Sequence, residues 1–168
     1  MKNYAYTIIA MVILAIAIFA FSTQSVAQEA ENSPEPISLE EALKLAPESD
    51  KKILVDVYAE WCPYCQRMHS EVYKDSSVLE AIAEHYIWVK INVESEEMVN
   101  YHGNEMTEAQ FARALENRSV PTTYFLNQEG SILGSQPGFI EAEMFSNLLN
   151  FVGSDQFLVQ TFQEYQEN

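Results

Sequence analysis

The period of the apolar positions changes along this chain, and each change marks an element. An unbroken apolar run fills residues 8–21, with Lys2 ahead of it and the small-residue exit Ser25-Val26-Ala27 behind it. A basic start, a short apolar segment and a small-x-small exit predict a secretory signal peptide over residues 1–27. The run is short for a membrane span of about 20 residues, yet stretching it to residues 4–22 leaves a membrane anchor as the alternative. Residues 28–36 (QEAENSPEP) are polar and acidic and read as a flexible lead-in, so the folded domain is expected over residues 37–168.

Inside that domain, Ser38 and Glu41 form a capping-box pattern and predict a helix that Pro47 ends after Ala46. Residues 53–59 (ILVDVYA) are apolar and β-branched, as expected of a buried central strand. Helical spacing starts near Cys62 and runs through Val72, breaks at Asp75-Ser76-Ser77, and resumes over residues 78–85. Residues 86–93 (YIWVKINV) predict the next strand, and residues 94–106 a polar loop. A second capping box, Thr107 with Gln110, opens a helix through Leu115. Strands over residues 122–126 and 131–135 flank the turn Asn127-Gln128-Glu129-Gly130. An amphipathic helix over 141–152 and a helical tail over 155–165 complete the chain. On that tail Leu158, Phe162 and Tyr165 make one stripe, expected to dock on the domain itself. The alternation predicts an α/β fold with a mixed sheet flanked by helices, parallel crossovers first and a hairpin later.

Composition narrows what such a domain does. The 168 residues carry 25 Asp and Glu against 9 Lys and Arg, a net charge of −16. Nucleic acid is disfavoured as a partner, since phosphate binding needs clustered cations. An apolar share of 48% argues against disorder despite that charge. Two cysteines supply neither a disulfide framework nor a four-thiolate zinc site. They make one pair.

That pair, Cys62-Pro63-Tyr64-Cys65, lies where a buried strand hands over to a helix. Cys62 falls at the helix N-terminus, where unpaired N–H groups and the helix dipole favour a thiolate. Pro63 suits the first turn because it has no N–H to leave unsatisfied. Cys65 follows one turn inward, placed to resolve a mixed disulfide formed at Cys62. Two other readings compete. His69 extends the pair to C-x2-C-x3-H, but no fourth metal ligand stands out. A purely structural bridge would close too small a loop to stabilise much. Neither a metal nor a cofactor is expected.

The segment Val55-Asp56-Val57-Tyr58-Ala59-Glu60-Trp61-Cys62 resembles the active-site approach of thioredoxin position by position. Val120-Pro121-Thr122 is similar to that family's cis-proline segment, and Lys90 to the lysine on its next strand. The resemblance implies a thioredoxin fold with an insert before the cis-proline and a C-terminal helical tail. Within the superfamily the chain is most similar to extracytoplasmic thioredoxin-related proteins of the SoxW type. The early helix, the insert, Pro137-Gly138-Phe139 and the tail sequence Phe162-Gln163-Glu164-Tyr165 carry that likeness.

By this resemblance Cys62 attacks, Cys65 resolves, and Asp56, an acid in an otherwise apolar strand, exchanges a proton with Cys65. Lys90 would tune Asp56, or else snorkel from the strand end with its charge in solvent. Trp61, Pro63, Tyr64, Val120 and Pro121 would bind substrate, with the backbone of Val120 pairing with an extended segment. The inner dipeptide Pro63-Tyr64 departs from thioredoxin's Gly-Pro and matches glutaredoxins, families roughly 40–70 mV apart in potential. The motif alone therefore leaves electron flow open. The Trp-Cys approach, the acid at Asp56 and the SoxW likeness imply reduction of disulfides in exported proteins, with an oxidant or isomerase, or a non-catalytic client-binding module, as the alternatives. The expected setting is the periplasm or another extracytoplasmic space. The expected partners are disulfide-containing exported proteins and a membrane-embedded thiol reductase that supplies electrons.

Overall fold

The structure is a computed structural model that describes residues 33–167. The expected leader, and the lead-in up to residue 32, lie outside the described residues. Helix α1 (Leu39–Ser49) starts where the Ser38 hydroxyl accepts the Glu41 N–H at 3.2 Å. It does not stop at Ala46 as expected: Pro47 lies inside its last turn. A proline so near the end removes one intrahelical bond where few remain to be lost. The Ser49 hydroxyl donates to Leu45 O at 2.9 Å and satisfies one of the terminal carbonyls.

Four strands form the main sheet in the order β2 (Tyr86–Asn92), β1 (Lys52–Tyr58), β5 (Thr122–Leu126), β6 (Ile132–Pro137). β1 runs parallel to β2 and antiparallel to β5, and β5 is antiparallel to β6. The mixed α/β architecture expected from the sequence is therefore the one observed. β1 is covered on both faces, which explains its nearly continuous apolar sequence. Ile53, Val55 and Val57 pack with Leu39, Ala42 and Ala46 of α1 and with Phe111 of α4 (Glu108–Ala114). Leu54, on the other face, packs with Met68 from α2 (Pro63–Ser70), Val78 and Ile82 from α3 (Ser76–His85), and Phe145 and Leu149 from α5 (Ala142–Gly153). Strand alternation puts Lys52 and Asp56 on that second face. Asp56 is thus carried under helix α2, the helix that begins at the thiol pair.

Two segments depart from expectation. Residues 94–106 are not one polar loop, since β3 (Met98–Tyr101) and β4 (Asn104–Thr107) pair as an antiparallel hairpin. Its two-residue turn, His102-Gly103, has φ 53° and 83°, the positive pair a type I′ turn needs. Asn-Gly or Asp-Gly would have marked that turn in the sequence; His-Gly did not. The tail is also broken, into a 3₁₀ turn (Gln156–Leu158) and α6 (Phe162–Gln166), which Thr161 caps afresh with Glu164. Phe162 and Tyr165 reach the Phe151 ring at 5.2 and 5.3 Å. Leu158 does not share their face and stays 71% exposed, because the helical period restarts at Thr161.

Candidate active site

β1 ends at Tyr58, and a tight turn follows in which the Cys62 N–H donates to Ala59 O at 3.2 Å. Cys62 caps α2: its backbone is extended, Pro63 takes the first helical position, and its sulfur accepts the Cys65 N–H at 3.2 Å. One of the orphan donors of the helix start therefore points at this sulfur. On the other side the Cys62 thiol faces the Val120 carbonyl at 3.6 Å. The Val120–Pro121 peptide bond is cis, and the segment leads directly into β5. The two thiols and Val120 thus meet at one end of the sheet. Both cysteines are free and buried, Cys62 at 3% and Cys65 at 1% exposure. Trp61 and Tyr64, by contrast, stand 64% and 61% exposed beside them. So much exposed aromatic surface next to a covered sulfur is not core packing.

Burial pushes the Cys65 thiol up to about 12, helped by its contact with Cys62 and by the nearby Asp56 carboxylate. Near neutral pH Cys65 therefore holds its proton and needs a base before it can attack. Asp56 is fully buried. Its Oδ2 meets His69 Nε2 at 2.5 Å, while its Oδ1 has no hydrogen-bond partner on the protein. Among the described residues the other such orphan is Trp88 Nε1, but Asp56 is the one whose charge acts on Cys65. His69 continues the chain outward: its Nδ1 lies 3.5 Å from Lys90 Nζ, which sits 4.4 Å above the Tyr58 ring. Asp56 and Lys90 are register partners on β1 and β2, yet His69 stands between their charges.

Comparison with known proteins fits this geometry. A model of the "Thioredoxin-like domain" family matches residues 39–153, most of the chain. The chain belongs to this family. Among curated relatives, the thiol:disulfide interchange protein DsbD of Actinobacillus pleuropneumoniae is 27% identical over 109 residues, 64% of this chain. This chain spans only 17% of the length of that relative. Among solved structures, a thioredoxin-fold protein from Helicobacter pylori superposes with a TM-score of 0.60 at 20% identity, covering 69% of this chain and 82% of that one. The C-terminal domain of DsbD from Neisseria meningitidis gives 0.50 at 17% identity, covering 67% and 91%. At those identities the structures speak for the fold alone.

The thioredoxin-like fold thus gathers Cys62, Cys65, Asp56, Trp61, Pro63, Tyr64, Val120 and Pro121 around one end of the sheet. Lys90 reaches Asp56 only through His69. In sequence His69 stands only as a candidate metal ligand; in the structure it is the partner of Asp56. A signal was present: His69 follows Cys65 by one helical turn, so both share the face of α2 that looks onto β1. A groove beside the thiols was not visible in the sequence either. Trp61, Val93 and Val120 line it together with residues of α4 and the segment after it. These residues are far apart along the chain, and only the fold brings them together. Among the described residues no helix is long and apolar enough to cross a membrane.

Proposed function

We propose that this protein is an extracytoplasmic thiol-disulfide oxidoreductase that reduces disulfides in exported proteins. One observation carries the reading: the Cys62 sulfur caps α2, accepts the Cys65 N–H and faces the Val120 carbonyl. A sulfur held at a helix start beside exposed aromatics is where a nucleophilic thiolate would work. Membership of the thioredoxin-like family supports the broad class, as does the relatives' own name for thiol:disulfide interchange.

In this reading the Cys62 thiolate attacks one sulfur of the substrate disulfide, and the other substrate sulfur leaves as a thiolate. The substrate main chain lies alongside Val120 as a short β-bridge, against Trp61, Pro63 and Tyr64. Cys65 then gives its proton to Asp56 and attacks the Cys62 sulfur. The second substrate thiol departs, and a Cys62–Cys65 disulfide remains. Two electrons have passed to the substrate. Asp56 passes the proton to His69, whose side chain is 24% exposed and opens the route to solvent. A dithiol reductant, by resemblance a membrane-embedded one, restores the pair. The buried acid and the Trp61-Cys62 approach favour reduction over oxidation.

Equilibrating the Cys62/Cys65 pair against a redox buffer of known potential tests the direction. A value near that of thioredoxin, about −270 mV, is expected. A value near −120 mV would mark an oxidant and overturn the reductase reading.

A further inference from the structure

Cations are scarce in this chain, 9 against 25 acids, so their placing is informative. Lys44 pairs with Glu40, Lys52 with Asp155, and Arg67 with both Glu71 and Glu141. The guanidinium groups of Arg113 and Arg118 have no such partner among the described residues, and both side chains are exposed. They line the same groove, of about 360 Å³, and no carboxylate lines it with them. Its apolar wall includes Trp61, which precedes Cys62 in sequence, and Val120, whose carbonyl faces the Cys62 thiol. Asn117 lines it too; Tyr124 donates to the Asn117 amide oxygen at 3.2 Å and leaves the NH2 free to donate. The groove therefore combines hydrogen-bond donors and positive charge with an apolar surface. It opens beside the reactive sulfur.

We propose that this groove selects its substrate: it holds the peptide segment next to the substrate disulfide and favours one carrying an Asp or Glu side chain. A guanidinium binds a carboxylate through two parallel N–H donors, which fixes orientation as well as charge. The acidic surface elsewhere repels such a segment, but salt screens that field beyond about 8 Å, whereas contact pairs in the groove persist. The assignment rests on disulfide exchange at Cys62, and its test separates the two.

Disulfide-linked peptides with Glu, Gln or Lys beside the reactive cysteine are reduced by the full chain, and kcat/KM is compared. The Glu peptide is expected to outrun the Gln peptide about fivefold, the scale of one or two exposed ion pairs. The ratio should fall toward one in an Arg113→Gln/Arg118→Gln double variant. Lys74→Gln, the same kind of charge change outside the groove, should keep it. The ratio is read within each protein, so a general loss of activity cancels. Equal rates for Glu and Gln in the parent, or a preference that survives in the double variant, would overturn the groove assignment. If no peptide is reduced at all, the exchange reading fails instead. Binding of the Glu peptide with Ser in place of Cys, followed by NMR titration, then judges the groove alone. Weaker binding to the double variant supports it, and unchanged binding overturns it.

Discussion

Strand β1 buries two charged side chains on one face, and they are treated in opposite ways. Lys52, 6% exposed, donates to Gly153 O at 2.9 Å and pairs with Asp155 at 3.0 Å. It ties the start of the strand to the end of α5, and its charge is matched. Asp56, fully buried, has one oxygen on His69 and the other without a partner. A buried charge is costly unless it is paired and hydrogen-bonded, and removing one partner of such a pair destabilises strongly. The satisfied lysine reads as structure. The half-satisfied acid sits beside Cys65, where a group able to take up a proton is useful.

Substitutions can break this contrast. Asp56→Asn is expected to slow resolution of the mixed disulfide by about 100-fold, the lower end for a lost acid-base group. Its Tm should hold or rise, since a poorly paired buried charge is gone. Quenched-flow trapping of the mixed disulfide, beside thermal unfolding, measures both. Lys52→Met should behave the other way round. It should cost about 1–3 kcal/mol of stability, discounted because Asp155 is half exposed and can be solvated. Its exchange rate should stay within about twofold of the parent. If Lys52→Met proves slow and stable, or Asp56→Asn fast and unstable, the two sites have been misassigned.

Smaller effects sharpen the picture. His69→Gln should slow resolution about tenfold, less than the loss of Asp56 itself. An unchanged rate of resolution would leave His69 a packing residue. The smallest effect concerns the buried thiol. In a Cys62→Ala variant, folded Cys65 keeps a proton that the unfolded chain releases near the ordinary thiol value of about 8.5. Burial, the main cause of the raised Cys65 pKa, survives the loss of Cys62, so it adds stability that is fully present below about pH 8.5 and is lost as pH climbs above it. Against a Cys62→Ala/Cys65→Ala reference, denaturant titrations should find about 1–2 kcal/mol lost by pH 10. The raised tyrosines, Tyr58 at about 12 among them, occur in both variants and cancel.

Much of the fold was legible because its signals are local. The apolar period of β1, the thiol pair at its exit and the capping box at Thr107 each depend on a few adjacent residues. What stayed hidden depends on tertiary context. Pro47 was absorbed because it falls in a last turn with little left to break. The 98–107 hairpin was hidden because its sequence is polar and its turn is His-Gly. It is stabilised by Val99, Tyr101 and Met106 packing on the core formed by α1 and α4. The tail stripe failed when Thr161 restarted the helix. At the site, the cysteines and Asp56 stand close in sequence, but the Asp56–His69 contact needs α2 laid over β1. The arginine groove needs Trp61 brought against α4, which no spacing rule conveys.

The central claim is that Cys62 attacks and Cys65 resolves. Its most direct test is trapping a disulfide-bonded peptide on single-cysteine variants, read by intact-mass spectrometry. Cys65→Ala should accumulate one stable adduct, mapped to Cys62, while Cys62→Ala should accumulate little or none, because its remaining thiol is buried and protonated. Equal trapping at Cys65, or none at Cys62, would contradict the account.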